Sequence, residues 1–112
     1  MSDYTNTYLL EDTSYAIFTS LDEVKMSHWV NYFYIVNQCT KEVVLDFRLL
    51  PCDYMSHQLV GLKLLVYYRI YPNGGDKHEL LIDFEKEVLV YKEQTYIFKD
   101  LERVLHYNLK RG

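Results

Sequence analysis

The chain has 112 residues, of which 49% are hydrophobic and 25% charged, and its formal net charge is −4. That is the size and balance of one ordinary globular domain, able to bury roughly two-thirds of its unfolded surface without disulfide or metal. The mild acidity argues against a nucleic-acid binder that works through phosphate contacts, and the short apolar runs exclude a membrane-spanning helix.

The first dozen residues are polar and acidic, and read as a loop-rich entry rather than a secretory signal. Met1-Ser2 reads as the start of a complete small protein of the cytoplasm. A short apolar run at 15–18 predicts an edge strand. Ser20-Leu21-Asp22-Glu23 then has the form of a capping box, and Leu21, Val24, His28 and Trp29 follow near helical spacing. This predicts a helix over about 20–29, with Trp29 as a core anchor between helix and sheet.

Residues 30–36 are aromatic and β-branched on both faces, which predicts a central strand covered on both sides. Val43, Leu45, Phe47 and Leu49 alternate with Val44, Asp46, Arg48 and Leu50, the period of a half-buried strand. Pro51 to His57 reads as a loop. A long strand follows, with Leu62, Leu64, Val66, Tyr68 and Ile70 on one face and Lys63, Leu65, Tyr67, Arg69 and Tyr71 on the other. Pro72-Asn73-Gly74-Gly75-Asp76 supplies the φ values of a reversal. Strands are predicted at 79–84, 88–91 and 95–98, with a turn near Glu85-Lys86. Asp100 can cap a second helix over about 100–110, where Leu101, Val104, Leu105 and Leu109 form an apolar stripe. The expected fold is α+β: one domain over 1–112, with an antiparallel sheet of five or more strands between an N-terminal and a C-terminal helix.

The chemistry-bearing residues form no recognisable constellation. Cys39, Cys52 and His57 lack the paired local spacings of a zinc site, and the same two cysteines read as reduced thiols. The glycines at 74 and 75 precede no phosphate-cradling Gly-Lys-Ser/Thr. Basic residues near Tyr91, Tyr96 and Tyr107 are interleaved with Glu93, Asp100 and Glu102, as on a mixed solvated surface. No cofactor, metal or catalytic group is expected.

The excess is in tyrosine: 12 residues, against 4 glycines and 2 prolines. Tyrosine suits both pleated sheet surfaces and protein interfaces, having an apolar body, a polar tip and few rotamers to lose. The partner-binding candidates are therefore Tyr67, Arg69 and Tyr71 on one strand face, with Asp46 and Arg48 as polar rim. The expectation is a non-catalytic protein-binding protein that occludes a partner, of the inhibitor, immunity or anti-defence type. A small enzyme with a pocket lined by Tyr and His, and a homo-oligomer joined through a sheet edge, are the alternatives.

The second half also resembles part of an SH2 domain. Leu65, Tyr68 and Ile70 match a family strand, Gly74-Gly75 its turn, and Phe98, Leu101, Val104, Leu105 and Tyr107 the opening of its second helix. The resemblance implies a peptide-binding module with a helix on each side of its sheet. Asn37 stands where that family's phosphate-gripping arginine belongs, and an uncharged amide cannot make the bidentate, charge-assisted contact.

Overall fold

A computed structural model describes residues 4–25, 28–48, 52–70, 77–101 and 103. They form two antiparallel sheets. In the first, β1 (Tyr4–Leu9), β2 (Tyr15–Lys25), β3 (His28–Asn37) and β4 (Glu42–Asp46) lie side by side in chain order. In the second, the order is β5 (Cys52–Val60), β6 (Lys63–Ile70), β7 (Lys77–Asp83), β8 (Val88–Tyr91) and β9 (Gln94–Ile97). A single 3-10 turn, Phe98–Asp100, follows.

The architecture is therefore all-β, which overturns the α+β expectation. The N-terminal helix expected at 20–29 is the end of β2 and the start of β3. A capping box is a local signal spanning four residues. Here it competes with a long ladder in which Phe18, Thr19, Ser20, Leu21, Asp22 and Glu23 each face a β3 residue. Ile17 and Thr19 are buried while Phe18 and Ser20 are half-buried, so this stretch has a period of two. Tertiary pairing outweighs the weak local preference.

Among the described residues the C-terminal helix is not found either. After the 3-10 turn, only Leu101 and Arg103 have helical backbone, and the rest of 100–110 lies outside the described residues. Asp100 pairs with Arg103 at 3.1 Å. Among the described residues the helix–sheet–helix order implied by the SH2 resemblance does not occur. Two stretches expected to be loops are strands: part of the first dozen residues forms β1, and residues 52–57 open β5. The strands at β3, β4, β6, β7, β8 and β9 fall where the sequence places them, within a few residues, although β3 is fully covered on one face only, with Tyr32, Tyr34 and Val36 half-buried on the other. The turn at 72–76 lies outside the described residues.

The two sheets share one hydrophobic core. Ile17, Phe33, Ile35, Leu45 and Phe47 come from the first, and Leu64, Val66, Tyr68, Leu80, Ile82 and Leu89 from the second. The smallest dimension of the molecule, 21 Å, is that of two layers stacked face to face. Aromatic contacts tie the layers together. The Tyr15 and Phe84 rings stack with their centres 4.0 Å apart, and the Phe33 ring, stacked on Phe47 of its own sheet at 4.1 Å, meets Tyr54 at a tilt with centres 5.6 Å apart. Each fully buried side chain of this size contributes roughly 1.5–3 kcal/mol. A polar clamp closes the β3–β5 corner, where the Asn31 backbone N–H donates to Asp53 Oδ1 at 2.9 Å.

Candidate protein-interaction surface

Of the five residues expected to form one site, the four that are described lie apart on two sheets. Tyr67 and Arg69 lie on the face of β6 that points away from the core, because Leu64, Val66 and Tyr68 occupy the inner face. Asp46 ends β4 of the first sheet, and Arg48 follows it two residues later. Tyr71 lies outside the described residues. Arg69 is engaged in holding the fold: its guanidinium meets Asp53 Oδ2 at 3.2 Å, and Asp53 is the residue that clamps β3. Lys77 Nζ sits 4.7 Å from the centre of the Tyr67 ring.

Asp46 and Arg48 instead anchor a planar stack on the outward face of the first sheet. Phe18 on β2 faces Tyr34 on β3, and Tyr34 in turn faces Asp46 on β4. This face is opposite to the one that buries Ile17, Phe33 and Ile35. The Phe18 and Tyr34 rings are 5.3 Å apart and nearly parallel, at 16°. The Arg48 guanidinium carbon lies 4.0 Å from the centre of the Tyr34 ring.

Arg48 is held there by Asp46. Its Nε donates to Oδ1 at 2.9 Å and its terminal nitrogen to Oδ2 at 2.8 Å, while its backbone N–H also reaches Oδ1 at 2.9 Å. The side-chain hydrogen bond from Arg48 lowers the Asp46 pKa against the opposing effect of burial, and the same bond raises that of Arg48. Both side chains are well exposed, so the pair contributes little to stability. Its effect is geometric: a flexible cation becomes a fixed, charge-compensated plane on an aromatic ring.

Phe18 and Tyr34 were read in the sequence only as strand residues. Their adjacency depends on the β2–β3 register, which no single strand carries. The period-2 alternation around Asp46 and Arg48 was the legible part of the stack.

The interior holds two Tyr–His pairs. The Tyr54 hydroxyl lies 2.7 Å from His57 Nδ1, and the Tyr91 hydroxyl lies 3.3 Å from His78 Nδ1. Burial pushes the Tyr54 phenol up to about 12 and lowers the His57 pKa. Tyr8 stacks over Tyr54 at 5.8 Å and meets the His57 ring edge at 5.4 Å, so this half-buried pair packs between the sheets. Tyr68 is fully buried, and its hydroxyl interacts with that of Tyr91 without forming a well-made hydrogen bond.

The candidate metal ligands are dispersed. Cys39 is exposed on the turn after β3 and Cys52 is buried, both as free thiols. Burial pushes the Cys52 thiol up to about 12, so it is protonated and unreactive at neutral pH. No group of three or more His, Cys, Asp or Glu suited to a metal occurs among the described residues. A shallow open depression lined by Glu11, Asp12, Leu59, Gly61 and Leu62 contains neither His nor Cys. Trp29, expected in the core, is 48% exposed at the start of β3. Among the described residues no helix is long and apolar enough to cross a membrane.

No protein-family model, curated protein or solved structure matches this chain.

Proposed function

We propose that this chain is a non-catalytic protein-binding protein that works by covering a partner's surface, as inhibitors, immunity proteins and anti-defence proteins do. The Phe18–Tyr34–Arg48 stack is the contact face. The observation that carries the reading is the Asp46–Arg48 clamp over Tyr34. Aromatic rings and arginine are the residue types enriched at interface hot spots. Here the arginine is already ordered and its charge compensated, so binding immobilises little that was free, and preorganisation of this kind raises affinity. We take the protein to act in the cytoplasm, a compartment that suits its two free cysteines.

The test is capture of binding proteins by tagged chains, with Tyr34→Ala/Arg48→Ala compared against Tyr67→Ala/Arg69→Ala. The expected result is one stoichiometric partner retained by the wild-type chain and lost only with the first pair. Loss only with the second pair would move the contact face to the other sheet. Retention of no protein by the wild type would refute binding as the function.

A further inference from the structure

The outermost strand of the first sheet has an unusual sequence. β1 begins Tyr4-Thr5-Asn6-Thr7-Tyr8, which reads the same in both directions. Among the described residues only β2 pairs with it, and its other edge has no partner strand among them. β1 holds none of the usual devices against edge pairing: no lysine, no proline, no charge and no bulge against β2.

The open edge presents defined groups. Leu10 N–H donates to the Tyr15 carbonyl in register with the β1–β2 ladder. Alternation along an antiparallel pair then directs the backbone groups of Asn6 and Tyr8 toward β2, and those of Thr5 and Thr7 outward.

We infer that a second copy of this chain pairs with β1 in antiparallel fashion, about a two-fold axis at Asn6. Thr5 of each copy faces Thr7 of the other, and each such pair exchanges both backbone N–H···O bonds. The facing threonines are a favourable cross-strand combination, and Asn6 meets Asn6 of the second copy across the axis. The pairing is isologous and closes on itself, joining the two four-stranded sheets into one.

Charge separates this edge from that of β4. The same operation on β4, centred on Val44, would set Glu42 of one copy against Asp46 of the other. The edge of β5 is occupied at its corner by the Asn31–Asp53 contact and is interrupted by a bulge between Tyr54 and Ser56. β1 pairs with its own copy without bringing like charges together. The inference is independent of the contact face proposed above, which lies on the strands β2 to β4.

Light scattering after size-exclusion tests it. The wild-type chain is expected to show a concentration-dependent mass rising to twice 13.5 kDa. Thr5 and Thr7 are both exposed, so charges there leave the core intact. Thr5→Lys/Thr7→Lys places like charges in both facing pairs and is expected to weaken dimerisation about tenfold. Thr5→Lys/Thr7→Glu places opposite charges there and is expected to restore it. Asn6→Cys in a Cys39→Ser background provides a second measurement, with a disulfide-linked dimer expected under mild oxidation. A wild-type mass of one chain at every concentration, equal behaviour of the two charge variants, or no crosslink at position 6 would overturn the inference.

Discussion

Removing a hydroxyl from two buried tyrosines is expected to change stability in opposite directions. Tyr68 and Tyr54 both lie on inner faces of the second sheet and are 0% and 8% exposed. The Tyr68 hydroxyl is desolvated without a well-formed partner. Burying a hydroxyl in that condition costs roughly 1–3 kcal/mol, and Tyr68→Phe removes the penalty while preserving ring packing. Its neighbour Tyr91 recovers part of that cost by interacting with it, so the net gain is expected near the low end, about 1 kcal/mol.

For a chain of this size, about 1 kcal/mol corresponds to a rise in Tm of about 4 °C. Tyr54→Phe makes the identical chemical change where the hydroxyl holds His57 Nδ1 at 2.7 Å. It should lower stability by about 1 kcal/mol, because a partly buried ring nitrogen loses its partner. Denaturant unfolding of the two variants and the wild type, analysed at constant m-value, gives both numbers. Destabilisation by Tyr68→Phe as large as that by Tyr54→Phe would refute the argument, since it would mean that the Tyr68 hydroxyl is well satisfied.

Two further outcomes are expected. Burial depresses the His57 pKa below its ordinary 6.5, so the unfolded chain binds the proton more readily. The stability associated with a neutral His57 is present above pH 6.5 and is lost as pH falls from there through the folded-state pKa. Thermal unfolding between pH 7.5 and 5 should therefore show a decline that His57→Gln flattens, and an unchanged slope would show that other groups dominate. The β8–β9 connection places Lys92 and Glu93 both at positive φ, 49° and 68°, the handedness of a type I′ turn. Lys92→Asn/Glu93→Gly supplies residues that tolerate this conformation and should stabilise the fold by about 1 kcal/mol, measured by the same unfolding assay.

Several parts of this fold could be read from the chain. Leu64, Val66 and Tyr68 alternate with Leu65, Tyr67 and Arg69, and the structure buries the first set as that period requires. The turn near Glu85-Lys86 is stabilised by Asp83 Oδ1, which accepts from both of their backbone N–H groups. That is a local bond between residues two and three apart, so the sequence contains the whole of it. The alternation that placed Asp46 and Arg48 on one face is local in the same sense, and their ion pair spans only two residues.

What only the tertiary structure decided involves partners far apart in the chain. Residues 20–25 contain a local helix signal, yet they are strand because β3 pairs along them and β1 pairs with Ser20 and Leu21 on the other side. Trp29 is exposed and Phe18 stacks on Tyr34 for the same reason: register assigns every side chain of a strand to a face, and register is a property of two strands. Tyr67 and Arg69 were grouped with Asp46 and Arg48 by residue type, but the chain divides into two sheets between them. Period and residue type are written in one segment at a time. Pairing, and with it the arrangement of the contact face, is settled only when segments meet and the buried surface of the whole molecule selects among their local alternatives.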